Sequence, residues 1–175
     1  MNIDITFQEL TPALHDIYIK TGITSYNQHY RHLWPNGDTT TYIEHSFTKT
    51  ILEEEDNNKN SALYLIKSGI DYVGLLKITF HKNIKGLEAK DVLYLDKIYI
   101  LKEFAGKGVG NKSLNFVESI AKKLSKKAIF LESMQKGPAL PFYLKNDFDI
   151  VAESTVPFKN VIEEEKPMFL LKKMI

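Results

Sequence analysis

The chain contains no cysteine, which excludes disulfide frameworks, thiolate metal sites and cysteine nucleophiles together. It is nearly without arginine: Arg31 is the only one, and every other basic side chain is lysine. Any anion site must therefore rest on backbone N–H groups and lysine ammonium, not on guanidinium forks. An excess of one charge is missing too, since 23 Lys and Arg oppose 22 Asp and Glu for a net +1. That balance argues against a nucleic-acid partner, whose phosphates call for a basic face. No apolar run approaches the roughly 18 residues of a membrane span. The N-terminus, MNIDITFQEL, lacks the basic and apolar zones of a signal peptide. A soluble, cytoplasmic protein without a membrane partner is expected.

What is present is enough for a core. Hydrophobic residues make up 43% of 175, with 10 Phe and 9 Tyr, and that length suits one domain over residues 1–175. Residues 3–10 alternate apolar and polar side chains as a strand does. Thr11-Pro12 opens a helix, with Thr11 as N-cap, Pro12 at its first position, and Gly22 interrupting its pattern. After the loop Pro35-Asn36-Gly37, Asp38 or Thr39 caps a second helix whose apolar face is Tyr42, Ile43, Phe47, Ile51 and Leu52. The polar run 53–60 ends it as a solvated loop. Residues 62–67 and 71–80 flank Ser68-Gly69-Ile70 as an antiparallel hairpin. Residues 92–101 form the strongest strand. A glycine-rich stretch follows, then a helix with Leu114, Val117, Ile120, Ala121 and Leu124 on one face. A strand (128–134), a short helix (138–145) and two strands (148–156 and 167–173) complete one mixed α/β structure.

The segment Ala105-Gly106-Lys107-Gly108-Val109-Gly110, between strand and helix, is the feature best suited to chemistry. Glycine lets a backbone approach a ligand closely, and the following helix aims unpaired N–H groups and the positive end of its dipole at the same spot. A phosphate site results; the plainer alternative is a turn that only joins strand to helix. The spacing G-x-G-x-G, past the midpoint of the chain, does not fit the G-x-G-x-x-G of a dinucleotide fold. Gly106 to Ser113, GKGVGNKS, is one residue from a P-loop, with Asn111 where the tight-turn glycine belongs. A nucleotide-binding P-loop protein stays as an alternative.

The run Leu95-Asp96-Lys97-Ile98-Tyr99-Ile100, a short link and then residues 105–110 resemble the acetyl-CoA motif of the GNAT N-acetyltransferases. Ala139-x-x-Phe142-Tyr143 followed by Asp147-Phe148 is similar to that family's A-x-x-F-Y-x-x-x-G-F segment. The resemblance is best over residues 92–150, and the C-terminal half is closer to the polyamine-acetylating branch. It implies the GNAT fold, a mixed sheet of six to seven strands flanked by helices. It also implies acetyl-CoA as co-substrate, a primary amine as acceptor, direct transfer in a ternary complex, and dimers as a common state of relatives. The departures are Ala105, where the family has Gln or Arg, Lys136 in place of an Asn, and Asp147 in place of a Gly. They keep open a CoA-binding regulatory module with weak catalysis.

The resemblance also implies site roles. The cofactor would meet Ile98, Tyr99 and Ile100 through backbone groups, with Tyr99 or Ile100 N–H facing the oxyanion. Its pyrophosphate would lie on Ala105, Gly106, Lys107, Gly108, Val109, Gly110 and Asn111, with Phe142 and Lys136 beside it. Tyr143 would give the leaving thiolate its proton. A free alkyl ammonium has a pKa near 10, so its proton needs an acceptor. Asp96 is the candidate, sharing a face with Tyr94, Ile98 and Ile100 by strand alternation; Tyr94 stands where some relatives carry the acid. For the acceptor, Tyr26, His29, Tyr30, His32 and Trp34 form the densest aromatic and imidazole cluster. His29 and His32 share a helix face but have no third ligand, so no metal is expected. Glu163–Glu165 could attract a cationic amine, or form a solvated loop.

Overall fold

The computed structural model describes residues 4–175, so Ile3 of the expected first strand lies outside the described residues. Seven strands form one sheet in the order β1-β2-β3-β4-β5-β7-β6. They are β1 (Ile5–Glu9), β2 (Ser61–Ser68), β3 (Asp71–Thr79), β4 (Val92–Ile100), β5 (Ala128–Met134), β6 (Asp149–Thr155) and β7 (Pro167–Met174). Neighbours run antiparallel except β4 and β5, which are parallel. A parallel pair needs a crossover, and α4 (Val109–Lys123) supplies it. Its face of Leu114, Val117 and Ala121 is buried on Leu76, Ile78, Leu93, Ile129 and Leu131. Leu124, expected on that face, falls beyond the helix end and is exposed.

Three helices cover the other face: α1 (His15–Tyr30), α2 (Thr40–Ser46) and α3 (Lys49–Asn57). Tyr18, Tyr26, Phe47 and Leu52 there pack on Leu65 and Leu75 of the sheet. Residues 12–14 form a short 3-10 turn before α1, and Thr11 makes no side-chain cap bond. Gly22 does not interrupt α1. A Cβ there would lie 2.3 Å from Phe47 Cε1, so the glycine is a seat for that ring. The single helix expected over 38–52 is two helices, because Phe47 turns in to fill this seat and Thr48 recaps the chain by accepting the Ile51 N–H. Helix α3 then continues through Asn57 instead of ending in a solvated loop at residue 53. An ion pair, Glu55 to Lys77 at 2.7 Å, and a hydrogen bond between Asp56 and His15 Nε2 at 2.7 Å hold it. The small helix α5 (Ala139–Lys145) follows β5. Among the described residues, no helix is long and apolar enough to cross a membrane.

Two irregularities at the centre of the sheet position the site. Lys97 pairs with Lys77 but Leu95 pairs with Ile78, so Asp96 is an extra residue in β4, a β-bulge. Pairing of β4 with β5 covers only Val92–Tyr94 against Ala128–Phe130. Beyond Tyr94 the two strands part.

Replacing Gly22 by Ala tests the helix seat. Alanine is the better helix former by ~1 kcal/mol, but overpacking of this kind costs about 1–3 kcal/mol. Gly22→Ala is expected to lower the unfolding free energy in urea denaturation, despite the gain in helix propensity.

Candidate active site

The gap between β4 and β5 exposes one edge of β4. Leu101 N–H donates to Val73 O at 2.9 Å, and Tyr99 lies opposite Leu75. By alternation, Tyr99 turns its amide toward β3, whereas Ile98 and Ile100 turn theirs toward the gap. The Tyr99 N–H is therefore taken up on the β3 side, and the N–H groups open to the gap are those of Ile98 and Ile100. The Ile100 carbonyl already accepts from His29 Nε2 at 2.8 Å. That bond anchors α1 on β4 and takes His29 out of any acceptor cluster.

The glycine loop lies where β4 ends, and Ala105 to Gly108 are exposed. Gly106 and Gly108 have φ of +72° and +83°, and a Cβ on either would meet open space. Left-handed backbone here turns the chain so that the first-turn amides of α4, which lack helical partners, face outward. Gly110 is different: a Cβ there would stand 3.0 Å from Phe142 Cζ, so the loop and α5 are packed on each other. Ser113 is fully buried and donates to Val109 O at 2.9 Å. Its hydroxyl is not available to a metal-bound phosphate, which removes the P-loop reading. Ala105 adds no side-chain donor, and Lys107 Nζ lies 5.5 Å from the Phe104 ring. Lys136 Nζ is 3.7 Å from Glu165 Oε1, and Lys166 is 2.6 Å from Glu163. The Lys136–Glu165 pair thus ties two loops together, and Glu163 is paired within its own turn, so two of the three glutamates are engaged by lysines.

On the other side of β4, a cavity of about 220 Å³ lies beneath α1 and α2. Tyr26, Tyr30 and Tyr42 form its roof, and Tyr94, Asp96 and Lys97 belong to its β4 wall. Glu132, Tyr143 and Phe158 close it from β5, α5 and the β6–β7 connection. Tyr26 stacks on Tyr42 at 3.8 Å and on Tyr30 at 5.0 Å between ring centres. Trp34 does not line the cavity. It is 2% exposed, donates from Nε1 to the Tyr26 hydroxyl at 3.0 Å and packs on Phe158. It braces the roof from behind. His32 lies on an exposed turn.

The bulge also corrects the face assigned to Asp96. Leu93 and Leu95 share the α4-side core with Ile98 and Ile100, so the parity of inward positions changes across Asp96. Asp96 shares its face with Tyr94 but not with Ile98 and Ile100. Its Oδ2 accepts from Thr79 Oγ1 at 2.8 Å. Burial raises its pKa, opposed by Lys77, the Thr79 bond, Lys82 and Lys97. Burial likewise pushes up the Tyr94 and Tyr143 phenols. It pushes the Lys97 ammonium down to about 8. Among the pocket residues not expected from the sequence are Lys97, Tyr42, Glu132 and Phe158. Lys97 was adjacent to Asp96 throughout, but strict alternation sends neighbours to opposite faces.

A central sheet parted beside a glycine loop, with a lined cavity at the parting, is the architecture of an acyltransferase. The chain belongs to the acetyltransferase (GNAT) family, which it matches over residues 23–148. Among solved structures it is similar to the PaiA N-acetyltransferase of Thermoplasma acidophilum, determined with coenzyme A. The TM-score is 0.78 at 17% identity, covering 99% of this chain and 100% of that one. Ard1 of Thermoplasma volcanium gives 0.70 at 14% identity, covering 98% and 97%. A variant of the spermidine N-acetyltransferase SpeG from Vibrio cholerae gives 0.68 at 13%, covering 97% and 93%. At these identities the likeness is one of fold.

The Thr79 bond stabilises the charged form of Asp96, so its removal should raise that carboxyl further. In Thr79→Val, the midpoint of the Asp96 carboxyl in a carbon-13 NMR titration is expected to move up; an unchanged midpoint would contradict the assigned bond.

Proposed function

We propose that this enzyme transfers the acetyl group of acetyl-CoA to a primary amine, with a small amine or polyamine favoured over protein, by direct attack in a ternary complex. The parting of β4 from β5 beside the glycine loop is the observation that carries this reading. Acetyl-CoA brings an acyl group already activated as a thioester. The chain's own residues fit such a ligand. Gly106 and Gly108 leave open space above left-handed backbone, and the α4 N-terminus offers amides to a pyrophosphate. With arginine absent from the loop, residues 105–111 bind through backbone, and Phe142 supports them from below. The edge groups of Ile98 and Ile100 accept an extended amide-bearing arm as an added strand would. The Ile100 carbonyl is spent on His29, so the Ile98 carbonyl and the Ile100 amide carry that pairing.

The acceptor amine enters the tyrosine-roofed cavity. Aromatic faces attract an ammonium, and Asp96 and Glu132 give it carboxylates. Asp96 takes the proton that the amine must lose. The Ile98 amide, at the cavity wall, faces the oxygen on which charge develops. Tyr143, held neutral by burial, donates its phenolic proton to the departing sulfur and regains one from the amine nitrogen. An acceptor small enough to enter about 220 Å³ suits this site better than a folded protein's side chain.

Release of free CoA thiol with spermidine, amino acids, aminoglycosides and peptides tests the reading. Thiol release with a small primary amine is expected, with peptides the poorer acceptors. Thermal stabilisation by acetyl-CoA without thiol release from any amine would identify a CoA-binding module and overturn it. In Tyr143→Phe, turnover should fall ~100-fold, the scale of a lost general acid, while the calorimetric affinity for acetyl-CoA is retained.

A further inference from the structure

The bulge in β4 brings two consecutive titratable side chains to one face of the sheet. Asp96 is bonded to Thr79, and Lys97 lies opposite Lys77. Thr79 and Lys77 alternate on the same side of β3, the side on which Lys77 pairs with Glu55 of α3. In a regular strand Lys97 would point toward α4. Here its ammonium lies over the Phe47 ring at 4.8 Å and the Tyr42 ring at 5.8 Å. Phe47 and Tyr42 belong to the lid formed by α2 and the turn after it, and Tyr42 lines the acceptor cavity together with Lys97 itself. Among the described residues, no carboxylate stands within ion-pair distance of Lys97; the nearby Glu55 is engaged by Lys77 through Oε1.

The titratable groups that act on this ammonium are Tyr42 of α2, Glu55 of α3, Lys77 of β3 and Asp96 of β4, and Tyr18 of α1 lies beside Glu55 and Tyr42. Two buried oxygens among them, Tyr18 OH and Glu55 Oε2, have no partner. A buried polar atom without a partner calls for water, so the region behind Lys97 is polar.

We propose that Asp96 and Lys97 form one proton-accepting unit, in which the proton taken from the acceptor ammonium comes to rest on the Lys97 amine. The inference rests on the proposed acetyl transfer and adds to it the place where the proton goes. The balance is simple. The acceptor R–NH3+ gives one proton to Asp96, and because no direct contact joins Asp96 to Lys97, a water between them carries it on to the neutral Lys97 amine. The freed lone pair forms the N–C bond as the C–S bond breaks. The second proton of the nitrogen replaces the one Tyr143 gives to sulfur. Lys97 then returns its proton to solvent, so one proton is released per acetyl transferred. Asp96 alone would hold the proton weakly, since a carboxyl is far less basic than an amine. A partner whose pKa lies near the working pH is better matched. Burial brings Lys97 there, opposed by Glu55 and Asp96 and helped by Lys77, with a pKa of about 8. Since the unit accepts only when Lys97 is neutral, the rate rises with pH through that value. Such coupled groups titrate as a pair.

The test is the pH profile of kcat/KM for the best small amine, in wild type, Lys97→Arg and Lys97→Met. A rising limb with a midpoint near 8 is expected in the wild type. Arginine keeps the cation but cannot release its proton in this range, so Lys97→Arg should lose the limb and ~100-fold in kcat/KM. An unchanged thermal shift with acetyl-CoA shows that each variant folds. NMR titration of carbon-13-labelled lysine gives a readout without substrate, and one ε-carbon should titrate near 8 and vanish in both variants. A Lys97 midpoint with the exposed lysines, or transfer with an unaltered limb in Lys97→Arg, overturns the assignment alone. A wild type that binds acetyl-CoA but acetylates no amine overturns the function, and this assignment with it.

Discussion

A single extra residue in β4 sets the geometry from which the site follows. Asp96 has no partner position on β3, so the strand gains local twist and its inward parity reverses. Before the bulge, Leu93 and Leu95 lie under α4; after it, Ile98 and Ile100 do. The same reversal turns Asp96 and Lys97 together toward α1–α3. Just before the bulge, at Tyr94, β4 ceases to pair with β5. The edge amides of Ile98 and Ile100 thereby face an open gap, which no continuous sheet would allow. A bond from His29 to the Ile100 carbonyl and the fit of Gly74 hold the strand there. A Cβ on Gly74 would stand 2.4 Å from the Tyr99 carbonyl.

The loop and the cavity are also mechanically joined. Phe142 presses on Gly110 at the start of α4, while Tyr143 beside it lines the cavity. One short helix therefore reports on both sides of the gap, on the glycine loop through one ring and on the cavity through the next. On the far side Phe47 has the corresponding place. Its ring occupies the seat at Gly22, breaks the α2–α3 helix and carries the Lys97 ammonium on its face. Both ends of the site thus depend on an aromatic ring set against a glycine, where a methyl group would displace it.

Local chemistry made much of this readable from the sequence. The hairpin at Gly69, the strand–glycine–helix unit and the α5 segment each announce themselves within a few residues, and they place the glycine loop and Tyr143. What was not readable is non-local. Nothing in Leu95-Asp96-Lys97 marks an extra residue; the bulge depends on how β3 lies alongside, so alternation put Ile98 with Asp96 and hid Lys97. Gly22 resembled a helix breaker because its reason, Phe47, is distant in sequence. Residues 53–57 resembled a loop because the partners of Glu55 and Asp56, Lys77 and His15, belong to other elements. Trp34 and His29 had the composition of a binding cluster, but Tyr26 and Ile100 already engage their polar atoms.

The buried charges bear on what the fold was selected to do. A lysine lowered from 10.5 to about 8 leaves the native state about 3 kcal/mol less stable at neutral pH, at 1.36 kcal/mol per pKa unit. The sign follows from linkage. The folded protein binds this proton more weakly than the unfolded chain, so the penalty is full below the folded value and fades as pH rises toward the unfolded one. Net stabilities of domains run to only about 5–15 kcal/mol, so such a penalty is a large fraction of the whole. Leucine or methionine at residue 97 would remove it and pack well on Phe47. A cation kept against that gradient, in the wall of a cavity and next to a carboxylate that is itself raised, has the arrangement of groups that exchange protons. A network serving stability alone would bring Lys97 into direct contact with Glu55, as it does Lys77.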